Sequence, residues 1–299
     1  MKSLALLLAL VLAGVVVGST LSAVAGTVFV TGTFDPGTMT SLMSGSVTNI
    51  DFLRIVQIGA SLGAFLIPPI VLSIVEKSRT SYLPMRMSGS PLLWLFPAVI
   101  LLCGIPVLEH AIRLNQGVRL PDPFATMQHW LEEQEKEAND LIDLLMSDTT
   151  THGLVFNLIV IALVPAIAEE FLFRGGIQTI LTRWTKNPHT AIWLTAAIFS
   201  IAHLQFSGLL ARMLLGALFG YLLFWGKNIW FPVLAHFVNN AVVVISMFEE
   251  HRHGSPSVVM SFPPMAKFIV SAILTAALLS RFYRIASRDN VGTYGEKLD

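Results

Sequence analysis

"LVFNLIVIALVPAIAEEFLFRGG", residues 154–176, is a run of apolar residues interrupted only by Asn157 and by Glu169, Glu170 and Arg174. A helix needs about 20 such residues to cross a hydrocarbon layer of roughly 30 Å. The run is continuous rather than alternating, which excludes the strands of a β-barrel. It therefore reads as a membrane-spanning helix with two carboxylates and a guanidinium in its middle.

The rest of the chain repeats the apolar pattern. Hydrophobic residues make up 54% and charged residues 13% of its 299 residues, about half the usual charged share of a soluble domain. The fold class is all-α, a polytopic membrane helix bundle of about eight spans. They are read near 4–29, 52–75, 91–111, 153–184, 189–205, 208–226, 229–248 and 265–286. Formal net charge is zero, so nothing in the bulk electrostatics points to nucleic acid. The single cysteine, Cys103, lies in an apolar run and reads as a buried structural thiol.

The first span has a competing reading. Lys2, an apolar run and "SAVAG" (22–26) resemble a signal peptide with a small-residue cleavage site. The apolar run continues to about Val30, which favours an uncleaved helix. Basic residues follow alternate spans: Lys77, Arg79 and Arg86, then Arg183 and Lys186, then Lys227, then Arg281, Arg284 and Arg288. The positive-inside rule places both termini in the cytoplasm, in a bacterial inner membrane. The longest loop holds "HWLEEQEKEANDLIDLLM" (129–146), which predicts an amphipathic helix with an apolar stripe of Trp130, Leu131, Leu141, Leu144 and Leu145. The organisation expected is N-terminal helices and connecting segment over 1–150, a core over 151–250, and a last helix with its tail over 251–299.

Ionisable groups at bilayer depth cost at least ~2.5 kcal/mol each and need a partner or a wet cavity. They fall into three motifs. In Glu169-Glu170-x-x-x-Arg174, Glu170 and Arg174 share a helix face at i and i+4. Glu169 points about 100° away. Phe199-x-x-x-His203 and His236-x-x-x-Asn240 place polar groups on two later helices. A carboxylate such as Glu169 can take a proton from water, and a histidine such as His203 can orient that water. His236 and Asn240 can donate hydrogen bonds to an oxyanion. Glu169, His203 and His236 are also acceptable zinc ligands by type, so Zn2+ and no metal both stay open. The plainer readings are an internal Glu–Arg ion pair, histidines bonding between helices, and Asn240 as packing glue.

These three motifs, in this order and each within an apolar helix, resemble the signatures of the CPBP intramembrane protease family, the type II CAAX prenyl protease and bacteriocin-processing (Abi) group. The resemblance covers roughly 150–245. It implies an intramembrane endopeptidase acting on a peptide or membrane-protein substrate in the lipid bilayer. Glu169 would be the base, His203 its assistant on the water, and His236 and Asn240 the oxyanion donors. Glu170 and Arg174 would support the site by pairing, and Phe199 would form a wall. A non-catalytic scaffold or immunity protein of the same fold is the alternative, followed by an ion-coupled transporter.

Overall fold

The computed structural model describes residues 2–46, 48–86, 90–254 and 264–295. Of the expected C-terminal segment, 255–263 and 296–299 lie outside them. The protein is an all-α polytopic helix bundle, and among the described residues seven helices are long and apolar enough to cross a membrane. They are Lys2–Thr31, Ile50–Val75, Leu92–Gln116, Thr151–Thr185, Phe206–Gly226, Trp230–His253 and Met265–Asp289. The segment read as a span over 189–205 is the helix Pro188–Ala202, with 15 residues. At 1.5 Å per residue it reaches about 22 Å, short of the hydrocarbon thickness.

The chain forms two compact units. The first comprises Met1–Leu83, Leu141–Gly176 and Asn240–Ser257. In it Lys2–Thr31 packs on Ile50–Val75, backbone against backbone at the glycines. A Cβ on Gly14 would sit 1.9 Å from the Gly63 carbonyl oxygen, and one on Gly18 2.5 Å from that of Gly59. Ser22, one turn further, bonds the Gly18 carbonyl at 2.7 Å. Small residues at i, i+4 and i+8 allow such close crossings in membranes.

Three stretches are π-helical: Leu62–Leu66 and Leu158–Leu163 in this unit, and Phe171–Gln178, which begins in it. The first two run directly into Pro68 and Pro165. Proline lacks an N–H and crowds the carbonyl four residues back, and the wider i→i+5 turn relieves that. The third contains Gly175 and Gly176, where a Cβ would come within 2.9 Å of the Tyr82 carbonyl oxygen and 3.0 Å of Leu7.

One polar cluster of this unit went unremarked in the sequence. Arg54 is buried, and pairs with Asp51 at 3.1 Å and Asp148 at 3.2 Å. Its guanidinium also donates to Asn157 Oδ1, while Asn157 Nδ2 donates to the Leu145 carbonyl at 2.8 Å. The cluster joins the start of one span to the start of another.

The second unit comprises Pro84–Asp140, Ile177–Asn239 and Val258–Asp299. Its core is aromatic: Phe231 meets Trp94 and Phe282 edge-on, at centroid distances of 5.0 and 5.6 Å. Leu93, Ile100, Phe219 and Leu222 fill the space around them. The short helix Pro188–Ala202 packs on Phe206–Gly226 where Gly216 lets Ala196 approach; a Cβ there would lie 2.9 Å from the Ala196 Cα. Cys103 is half-buried rather than fully enclosed.

The loop expected to be amphipathic is the helix Ala125–Met146. Its apolar stripe is only partly covered: Leu145 and Met146 are buried, whereas Trp130 and Leu141 are exposed. Helix ends have a recurring feature. Lys77, Lys186 and Lys227 each follow a helix with a positive φ, between 51° and 53°. That left-handed conformation is where glycine usually ends a helix.

Candidate functional site

Glu169, Glu170, Arg174 and Asn240 belong to the first unit, and Phe199, His203 and His236 to the second.

In the first unit, Glu170 through Gly176 are buried without a break. A helix enclosed on all sides has no solvated face for a charge. The Glu170 and Arg174 side chains have no solvent exposure, and their Oε2 and Nε atoms lie 3.0 Å apart. The i,i+4 pairing read from the sequence is present. Glu169, one residue earlier, is only partly buried. The two adjacent carboxylates therefore occupy different surroundings, as a turn of 100° requires. Asn240 donates from Nδ2 to the carbonyl of Ile161 at 3.3 Å. Ile161 lies in the π-helical stretch Leu158–Leu163, whose wider turns alter the usual i→i+4 ladder. Asn240 has the interhelical role that polar residues take in membranes.

In the second unit, three rings gather. Phe199 meets His203 edge-on at 4.8 Å and His236 edge-on at 5.9 Å. Phe219 stacks on the other side of His236, at 5.0 Å and 19°. Phe199, expected as a wall, stands against both histidines. His236 is buried, and His203 is partly exposed. His203 forms the C-cap of Pro188–Ala202 rather than lying inside the helix. Its Nδ1 is 2.8 Å from the Phe199 carbonyl oxygen. A carbonyl only accepts, so Nδ1 carries the proton and Nε2 holds the lone pair of the neutral ring.

The chain after His203 turns sharply. Leu204 has a φ of 53°, unusual for a residue with a Cβ. Four side chains hold the loop that follows. Arg212 donates to the carbonyl and the side-chain oxygen of Gln205, the former at 2.7 Å. Asn115 donates to the Phe206 carbonyl at 2.5 Å and accepts from the Leu210 N–H at 3.2 Å. Glu135 accepts from both the N–H and the hydroxyl of Ser207. Ser200 bonds the Leu209 carbonyl at 2.6 Å. None of these holders was singled out from the sequence. The only signal there was a polar residue at the end of an apolar span (Asn115) and one acid among several in a charged helix (Glu135).

Among the described residues, no group of three or more His, Cys, Asp and Glu is arranged to hold a metal ion.

Comparison with known proteins bears on the same stretch of chain. Residues 151–242 match the family model described as type II CAAX prenyl endopeptidase Rce1-like. YpbD of Bacillus subtilis (strain 168), an uncharacterized protein, is 32% identical over 102 residues, which are 32% of this chain and 48% of YpbD. "Putative membrane peptidase YdiL" of the same organism is 35% identical over 96 residues, 32% of this chain and 39% of YdiL. The chain spans half or less of the length of these curated relatives. No solved structure matches. The resemblance to the CPBP family read from the three motifs stands over residues 151–242.

Proposed function

We propose that this chain is an intramembrane endopeptidase that hydrolyses a peptide bond in a peptide or membrane-protein substrate, with 151–250 as its catalytic core. The observation that carries the reading is the contrast between adjacent carboxylates inside the matched segment. Glu170 is enclosed and paired with Arg174, whereas Glu169 beside it is partly exposed.

In this reading Glu169 takes a proton from water as the water oxygen attacks the scissile carbonyl carbon. His203, with its lone pair on Nε2, orients that water. His236 and Asn240 donate to the oxyanion of the tetrahedral intermediate, where each such donor contributes about 10²–10³ in rate. Collapse of the intermediate breaks the C–N bond, and the proton held by Glu169 passes to the leaving amine. The base is a carboxylate, so no metal step is invoked. With Pro188–Ala202 counted as an eighth, shorter crossing, its His189 end packed against Tyr221 and Phe224 near the end of Phe206–Gly226, the distribution of basic residues supports a bacterial inner membrane with both termini cytoplasmic.

The test uses the purified full chain in proteoliposomes with a quenched fluorogenic peptide library. Glu169→Gln is expected to lower cleavage by about 10²–10⁴-fold, the range for a lost general base, with an unchanged melting temperature. Undiminished cleavage by that variant would sink the assignment of Glu169. A wild-type chain that cleaves nothing, yet keeps its cellular phenotype after Glu169→Gln and His203→Ala, would mark it as a scaffold.

A further inference from the structure

We propose that the cavity beside Lys227 binds the phosphate of an anionic membrane-lipid headgroup. The cavity, about 600 Å³, lies wholly within the second unit and is lined by His189, Trp225, Lys227, Ser280, Tyr283 and Ser287 among others. It is separate from the three motifs and does not depend on the endopeptidase reading.

Its place fits a headgroup. Lys227 directly follows the span Phe206–Gly226, His189 sits in the first turn of Pro188–Ala202, and Ser280 to Ser287 occupy the last turns of the span Met265–Asp289. Headgroups lie at the ends of spans, outside the ~30 Å hydrocarbon layer. The same end of the unit is strongly basic. Asn228 donates to the Arg86 carbonyl at 2.7 Å, and the Ser90 N–H donates to Asp289 Oδ2 at 3.1 Å, which brings those segments to one end. Arg183 and Lys186 precede His189, and Arg281, Arg284 and Arg288 flank the cavity residues Ser280, Tyr283 and Ser287 in sequence.

Its chemistry fits a phosphate. The cavity offers an ammonium, an imidazole and three hydroxyls, and no carboxylate among the described residues lines it. Lys227 has no carboxylate partner among the described residues; its ammonium lies 4.5 Å from the centre of the Phe224 ring. Burial holds the Lys227 ammonium below its ordinary pKa, a cost that a bound anion would offset. His189 Nδ1 is 3.0 Å from the Tyr221 hydroxyl, which fixes the ring at the mouth of the cavity.

Its walls distinguish a lipid from a free anion. Phe224, Trp225 and Leu279 form an apolar side next to the donors. Trp225 and Tyr283 meet edge-on at 5.4 Å, and such amphipathic rings sit at the headgroup level of bilayers. A cavity with donors at one end and apolar walls at the other matches a phosphodiester joined to an acylated glycerol. Basic pockets between membrane helices bind anionic headgroups by this logic.

The experiment is native mass spectrometry of the full chain released from detergent, titrated with phosphatidylglycerol or phosphatidylcholine. Phosphatidylglycerol is expected to stay bound and phosphatidylcholine to be lost. Lys227→Gln should weaken phosphatidylglycerol binding about fivefold, the effect of one basic residue near an anionic surface, and Lys227→Gln with His189→Gln should weaken it further. Ser280→Ala/Ser287→Ala serves in place of these if they unfold, and should weaken binding in the same direction. Equal retention of the two lipids, or binding unaffected by the folded variants, overturns the proposal. Displacement of the lipid by millimolar inorganic phosphate also overturns it, because the site would then be one for a small anion.

Discussion

Glu170 and Arg174 meet inside a helix, 3.0 Å apart and shut off from solvent. His203 stands at the end of a helix, partly exposed, with Leu204 in a left-handed turn behind it. The first arrangement is local: two residues one turn apart in a helix enclosed on every side. The second is remote. Asn115, Glu135 and Arg212 lie between seven and more than ninety residues from the groups they hold. A pair set by helical spacing tolerates little change in its own residues but needs no outside help. A loop set by distant holders can be disturbed from positions that touch no motif.

The largest effect on stability is therefore expected at the pair. Glu170→Ala leaves a buried guanidinium without its carboxylate, which typically costs about 3–5 kcal/mol. Denaturant unfolding in detergent measures it. Glu170→Leu with Arg174→Met should recover most of that loss, because apolar groups of similar volume often replace a buried ion pair at no cost. If the double variant is as unstable as the single one, the pair is more than a satisfied charge.

A smaller stability effect with a larger kinetic one is expected at the loop. Glu135→Ala removes both bonds to Ser207, and an exchange of this kind costs about 1–3 kcal/mol locally. A histidine displaced by a fraction of an ångström can lower kcat by about ten- to a hundredfold. The expected signature is a fall in kcat with KM little changed and a melting temperature close to that of the wild type. Glu135→Gln, which keeps one acceptor oxygen, should recover part of the rate. Wild-type kcat in Glu135→Ala would remove the loop from the argument.

How much of this was legible in the sequence follows the same division. The spans were visible because a bilayer demands continuous apolar runs, and the Glu170–Arg174 pair because helical spacing alone makes them neighbours. The helix over 129–146 was visible from its periodicity, although Trp130 and Leu141 remain exposed. The loop after His203 was not visible. Nothing in "HLQFSG" (203–208) announces a left-handed leucine, and the residues that hold it come from elsewhere in the chain. Arg54 was passed over for a similar reason: its partners Asp148 and Asn157 are about a hundred residues away.

The smallest effect is expected at Arg54 and depends on pH. The Thr150 hydroxyl that donates to Asp148, against some loss from burial and with help from the Thr150 N–H and Arg54, holds that carboxyl below its ordinary pKa of 3.8. A carboxyl lowered on folding stabilises the fold above its unfolded pKa and loses that contribution as pH falls through the folded value. The melting temperature of the wild type should accordingly fall more steeply below about pH 4 than that of Asp148→Asn. Parallel curves would show that Asp148 is not the group that titrates.

The lysines in left-handed turns at Lys77, Lys186 and Lys227 carry a consequence for how the chain enters the membrane. Glycine there would remove the Cβ strain. It would also delete a cation at a helix C-terminus, where the helix dipole favours positive charge and where it biases which side of the bilayer the end stays on. The same residue thus acts as a helix stop and as a topological address, and backbone ease is given up for the address. Lys186→Gly is expected to leave folded molecules no less stable, while side-specific labelling of a cysteine placed near residue 187 reports more chains inserted the wrong way round.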